Sequence, residues 1–171
     1  MNNIRRHCVQ LLGVALAALC CALPAQALEA PKEKVVLTIS GKVSSPNQGD
    51  KALFDLAMLK ALPQHTFTTQ TPWEKAPIKF SGPLLRDVLS AAGAKGNNLK
   101  AIALNDYKIN LPVADSQKFD VIVAHLMDDK PISVRTKGPL FIIYPFDSTA
   151  ELRSSTYYER AIWQLKAIDV E

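Results

Sequence analysis

All three cysteines of this chain, Cys8, Cys20 and Cys21, fall within the first 21 residues. That placement limits what the rest of the chain can use to hold itself together. Residues 1–27 have the three parts of a secretory signal: Arg5 and Arg6 in front, an apolar stretch from Val9 to Leu23 broken by Gln10, and Ala25-Gln26-Ala27 as small residues flanking a cut. Cleavage is expected after Ala27, delivering residues 28–171 to the periplasm with no thiol. A cysteine-free exported domain must be stabilised by packing alone, without disulfide staples or a thiolate metal site. The apolar stretch is short for a bilayer span and runs into Pro24 instead of a basic stop-transfer flank, so no stable membrane anchor is expected. The Arg5-Arg6 pair suggests twin-arginine export, but Asn3 and Ile4 before it and the leucine-rich stretch after it favour the general route. Cys20 follows Leu19, and Cys21 follows Cys20, so neither has the small residues that precede a lipidated cysteine.

Removing residues 1–27 takes Arg5 and Arg6 from the 20 basic residues and nothing from the 16 acidic ones, leaving a net charge of +2. A surface so close to balance lacks the clustered cationic footprint of a nucleic-acid binder. Residues 28–171 suit one domain, large enough to bury about two thirds of its unfolded surface.

Val35 to Ile39 is β-branched and apolar, a strand closed by Gly41. After a loop through Ser44–Gly49, Asp50 is placed to cap a helix carrying Leu53, Phe54, Leu56, Ala57 and Leu59, with Pro63 to stop it. Thr66–Thr71 and Ile78–Phe80 read as strands. Ser81-Gly82-Pro83 opens a helix with Leu84, Leu85, Val88 and Leu89 that ends at Gly93. Leu99–Leu104 and Tyr107–Leu111 flank the tight turn Asn105-Asp106, and Val121–Met127 and Ile132–Val134 flank Asp128-Asp129-Lys130-Pro131. Leu140–Tyr144 is a buried-type strand, followed by a short helix near Ser155–Ala161 and a last strand near Gln164–Val170. Strands outnumber helices, and the helices interrupt them irregularly. That order predicts an α+β domain with mixed or antiparallel sheets and a few short helices.

Residue types give little chemistry. Outside the signal only His65 and His125 are imidazoles, without paired spacing, and His125 in its apolar run reads as a packed core residue. The threonine run has no nucleophile-elbow glycines, Asp128-Asp129 reads as a solvated hairpin tip, and there is no glycine-rich phosphate loop.

Four segments taken in order carry a resemblance: Thr66-Phe67-Thr68-Thr69-Gln70-Thr71-Pro72-Trp73, the run from Phe80 to Leu89, Asn105-Asp106-Tyr107, and Lys137-Gly138-Pro139-Leu140-Phe141-Ile142-Ile143-Tyr144-Pro145. Together, over roughly residues 35 to 170, they resemble the sulfite oxidase-like molybdopterin-dependent oxidoreductases. The sequence is most similar to small single-domain periplasmic members without the full set of site residues. The resemblance implies that family's fold, a cleft between sheet edges, and an ancestral molybdopterin-bound molybdenum centre.

Two departures bear on function. The family's metal-binding cysteine corresponds to Thr69, give or take a residue, and a protonated hydroxyl is a poor substitute for a thiolate. The family's Gly-x-Pro-Leu-Arg pattern has Phe141 in place of its arginine, which removes a bidentate anion grip. Other cleft residues persist: Tyr107 follows the Asn105-Asp106 turn as the family's tyrosine does, and Trp73, Arg135 and Tyr144 lie in segments expected to border the cleft.

The expectation is therefore a domain that has lost molybdenum redox chemistry and carries no cofactor. Its cleft, near Thr69, Trp73, Asn105, Tyr107, Arg135 and Tyr144, would bind a small polar or anionic ligand, or the domain would engage an envelope or membrane sensor protein. The alternatives are an active molybdopterin-dependent oxidoreductase with a non-cysteine metal environment, or a structural subunit of an envelope complex.

Overall fold

The computed structural model describes residues 28–171, and the expected signal segment and its cleavage site lie outside the described residues. Eleven strands form three sheets, with four short α-helices at their edges. This is the expected α+β class, with mixed and antiparallel pairing.

The largest sheet is built around the two ends of the domain. β1 (Val35–Gly41) lies parallel to β11 (Leu165–Val170), with Ile39 opposite Ile168. β2 (Ala52–Asp55) flanks β1 on one side, while β5 (Asn98–Ala103) and β6 (Lys108–Pro112) continue beyond β11, giving the order β2-β1-β11-β5-β6. β5 and β6 meet at the Asn105-Asp106 turn, where Asp106 takes a φ of 64°. Asn105 Oδ1 accepts a hydrogen bond from Tyr107 N at 3.1 Å, and this side-chain-to-backbone bond sets the turn that carries Tyr107.

The segment after Asp50 departs from the helix expected there. Residues 52–55 are a strand, and the helix α1 (Leu56–Ala61) begins only after Asp55. Leu53 and Phe54 fit either period, so tertiary pairing decides: Phe54 pairs with Leu37, and Ala52 with Ile39. Asn47 completes the edge, its Nδ2 donating to Leu53 O and its Oδ1 accepting from Leu53 N, both at 2.8 Å. Asp55 is the true cap. Its Oδ1 accepts from Met58 N at 2.8 Å and its Oδ2 from Lys32 N and Glu33 N, and these amides, Met58 first, hold its carboxyl below the usual range.

The second sheet pairs β3 (Gln64–Thr69) with β4 (Ile78–Pro83), then β8 (Leu126–Met127) and β9 (Lys130–Pro131). Pro83 ends a strand here, and the helix α2 (Leu85–Ala91) starts two residues later. The hairpin tip Asp128-Asp129 has positive φ at both residues, as a two-residue turn requires. A third pair, β7 (Ile122–Ala124) with β10 (Phe141–Ile143), runs through the core. β4 passes so close to β7 that a side chain at Gly82 would place its Cβ 2.2 Å from Val123 O. The helix α3 (Val113–Lys118), unforeseen in the sequence, starts directly after Pro112, whose extended backbone caps it, and α4 (Ser155–Arg160) sits beside β6. Leu37, Phe54, Phe80, Leu85, Leu99, Leu111, Ile122 and Phe141 have almost no exposed surface. At roughly 1.5 to 3 kcal/mol for each such side chain, the core can stabilise the domain without staples.

Candidate functional site

The ends of β3 and β5, the turn before β6 and the helix α4 surround a cavity of about 560 Å³. Pro72 and Trp73 after β3, Asn105 and Tyr107 at the β5–β6 turn, Tyr158 and Glu159 on α4, and Trp163 before β11 form its lining. Trp73 is the hub of the wall. Its ring centroid lies 5.4 Å from Trp163 and 6.3 Å from Tyr158, both edge-on, and 6.2 Å from Phe141 behind it. Such offset and edge-on pairs hold rings rigidly, each worth about 0.5 to 1.5 kcal/mol beyond its buried area.

A second, smaller cavity of about 340 Å³ adjoins the first, and Pro72 and Tyr158 line both. Its other walls are Gln70, Thr71, Asp147 and Arg153. Thr71 is 3% exposed, and its Oγ1 has no hydrogen-bond partner among the described residues. A buried hydroxyl left unpaired is costly, which marks this wall as one that a bound molecule or water would complete.

Of the six residues singled out in the sequence, the structure brings Trp73, Asn105 and Tyr107 together in the larger cavity. Thr69 is fully buried at the end of β3, and its neighbours Gln70, Thr71 and Asp147 line the smaller one. Its hydroxyl is engaged: Oγ1 accepts from Asp147 N at 3.1 Å and donates to Asp147 Oδ2 at 3.3 Å, while Gln70 N donates to the same Oδ2 at 2.6 Å. Arg153 pairs with Asp147 Oδ1 at 3.1 Å. Arg135 stands on an exposed turn and lines neither cavity. Tyr144 is core. Its hydroxyl donates to Asp115 Oδ2 at 2.9 Å beside the Arg160 guanidinium, and burial first, then the Asp115 charge, pushes its pKa far above the ordinary phenol value. Tyr158, Glu159 and Trp163 were not foreseen as site residues. The available signal was an aromatic and an acid at the end of a short helix and a tryptophan just before the last strand, features that sequence alone does not bring to a cleft.

His125 is a core residue, 6% exposed, with Nε2 2.9 Å from Gln64 Oε1. Gln64 Nε2 donates to Leu59 O and Leu62 O, so its Oε1 faces the ring and His125 Nε2–H is the donor. Burial first, then the Lys60 charge, lowers its pKa below the ordinary 6.5. The unfolded chain therefore binds this proton more readily than the folded one. The stability that neutral His125 contributes is present above pH 6.5 and is lost as pH falls through the folded pKa. Thermal midpoints measured from about pH 7.5 down to about pH 5 should decline more steeply for the native chain than for His125→Asn. Equal slopes would remove His125 as the cause.

Comparison with known proteins agrees with the fold. A sequence model described as the oxidoreductase molybdopterin binding domain matches residues 23–149, and the chain belongs to that family. Among solved structures, the sulfane dehydrogenase SoxCD from Paracoccus pantotrophus is similar in fold, with a TM-score of 0.62 and 17% identity. The match covers 84% of this chain and 40% of that one, so the present chain spans well under half the length of its structural neighbour. No curated protein matches the sequence.

These findings correct the expectation of no cofactor. The family is described as an oxidoreductase molybdopterin binding domain, which points to a molybdopterin cofactor rather than none. The expectation rested on Thr69 and Phe141 standing where the resemblance places a cysteine and an arginine, and those replacements bear on the protein–metal bond and one anion grip, not on the whole of a cofactor. The residues present fit the organic part: the unpaired Thr71 hydroxyl and the Arg153 guanidinium could hold polar groups of it beside Thr69. They do not fit a cysteine–molybdenum bond, since the hydroxyl at Thr69 is tied to Asp147 and is no soft donor. Phe141, 1% exposed, packs edge-on against Phe80 at 5.7 Å. Where the resemblance places an arginine, this chain has a buried phenylalanine.

Proposed function

We propose that this is an exported, periplasmic molybdopterin-binding-domain protein that no longer runs redox chemistry on a cysteine-bound molybdenum, and that it works as a ligand-binding module reporting to an envelope or membrane sensor. The observation that carries this reading is the state of the Thr69 position. Its hydroxyl is buried and committed to Asp147, while the aromatic cavity that adjoins the smaller one at Pro72 and Tyr158 remains open to a ligand. The wall is made of rigid rings with a few polar groups at the mouth, Asn105, Ser155 and Glu159, the usual composition of a small-molecule site.

Protein isolated from its native periplasm tests the reading by elemental and pterin analysis. The expected result is molybdenum far below one equivalent, with any pterin released on denaturation coming off without stoichiometric metal. Near-stoichiometric molybdenum together with pterin would instead make oxidoreductase the function. That second reading, a molybdopterin enzyme with oxygen donors from the protein, is favoured by the unpaired Thr71 hydroxyl. The mature N-terminus is expected at Leu28, and intact mass of the periplasmic species checks it. A mass that includes residues 1–27 would overturn the export assignment.

A further inference from the structure

The larger cavity has a charge character that its family does not suggest. Trp73, Tyr107, Tyr158 and Trp163 supply four aromatic rings, and the one ionisable carboxylate or ammonium among the lining residues is Glu159. No lysine or arginine lines it. Two lysines near it are held by carboxylates of their own, and a third, Lys108, follows Tyr107 on the exposed start of β6 and is not part of the lining. Lys137, 5.9 Å from the Trp163 ring centroid, is paired with Glu74, and Lys166, beside the Asn105–Tyr107 turn, is paired with Asp106 at 2.7 Å. Glu159, exposed near the end of α4, makes no ion pair or hydrogen bond among the described residues. Phe141 strengthens the pattern, because an arginine at that place behind Trp73 would put a positive charge against the wall.

Aromatic faces carry negative potential and attract cations that shed water readily. A carboxylate at the mouth adds a counter-charge without needing a directed hydrogen bond. A small anion would meet Glu159 and four aromatic rings, with no lysine or arginine among the lining residues to offset them. We propose that the cavity binds an organic cation of the methylated or quaternary ammonium class, with Trp73, Trp163, Tyr107 and Tyr158 as the walls of a cage and Glu159 as its counter-ion. The inference rests on the small-ligand reading above and specifies the chemistry of that ligand. It leaves the smaller cavity at Thr71 free for the cofactor, since the two share only the Pro72 and Tyr158 walls.

Tryptophan emission of the full mature chain, which has Trp73 and Trp163 in this cavity, reports occupancy directly. Titration with choline and with tetramethylammonium is compared with 3,3-dimethylbutan-1-ol, the uncharged isostere of choline. Both cations should perturb emission saturably and bind about tenfold more tightly than the alcohol. Glu159→Gln, an exposed change with no packing role, should weaken choline about threefold to tenfold and leave the alcohol unchanged, while Trp163→Leu should weaken both. Equal affinity for choline and the alcohol, or an unaltered choline affinity in Glu159→Gln, would overturn the cation assignment and leave a neutral apolar site. Binding of an anionic molecule from periplasmic extract in place of choline, lost in Trp163→Leu, would overturn the cation class while keeping the small-ligand reading. If neither the probes nor any extract component alters the emission, both readings fall together.

Discussion

Gly82→Ala is expected to cost this protein its fold. The added Cβ would lie 2.2 Å from Val123 O and 2.8 Å from Ala124 Cα, both backbone atoms of β7 in the middle of the core. Neither strand can retreat: Ser81 accepts a hydrogen bond from His125 N on one side, while β7 is paired with β10 on the other. Overpacking against backbone on this scale should destabilise by on the order of 3 kcal/mol or more. Gly49→Ala is the control. Its φ of +60° also disfavours a side chain, but nothing lies within 4 Å, so about 1 to 2 kcal/mol of conformational strain is expected and no clash. Soluble yield and denaturant midpoints of the two variants separate the effects. Similar losses would mean that backbone conformation, not the β4–β7 approach, governs Gly82.

Asp115→Ala is expected to be the most damaging change among the polar residues. Its carboxylate, 7% exposed in α3, accepts from the buried Tyr144 hydroxyl at 2.9 Å and from Arg160 Nη1 at 2.8 Å. Removing it leaves a fully buried hydroxyl without a partner and a largely covered guanidinium without its counter-charge. Loss of about 2 to 4 kcal/mol should follow, lowering the thermal midpoint by roughly 10 °C. Tyr144→Phe removes only the donor and should cost about half as much. The double variant should then be less damaging than the two single losses added, because both remove the same bond. Strict additivity would show that the carboxylate is held by Arg160 alone. Arg160 closes α4, which carries Tyr158 and Glu159, so the same variant should also weaken ligand-induced changes in tryptophan emission.

Most strands were legible because their signals are local. β-branched runs bounded by glycine and proline gave β1, β3 and β10, and paired turn residues gave the Asn105-Asp106 hairpin and the Asp128-Asp129 tip, with positive φ at Asp106, Asp128 and Asp129. The return strand of the second hairpin is Lys130–Pro131, directly after the two-residue tip, and not Ile132–Val134 as expected. β2 was not legible, because a four-residue apolar segment has no period of its own and becomes a strand only through β1 and the side chain of Asn47. The site divides along the same line. Trp73, Asn105 and Tyr107 lie in segments with recognisable motifs. Tyr158, Glu159 and Trp163 reach the cavity through the packing of α4 beside β6, a long-range relation that leaves no mark at short range. The missing cysteine and arginine were plain in the sequence, but what their replacements do was not: Thr69 bonds to Asp147, and Phe141 joins an aromatic wall.

The strand order of the main sheet also bears on how the chain can assemble. β11 is the last element in sequence and the third of five in space, with β1 on one side and β5 on the other. A nascent chain can form the β2–β1 hairpin and the β5–β6 hairpin early, but the two halves have no common partner until Leu165–Val170 emerges to lie between them. Closure thus joins residues at opposite ends of the domain, the slow kind of step in which loop entropy is lost before contacts compensate. Trimming the chain before Leu165 would split the sheet through its centre instead of shortening its rim, leaving β1 and β5 each with a bare edge able to recruit another chain.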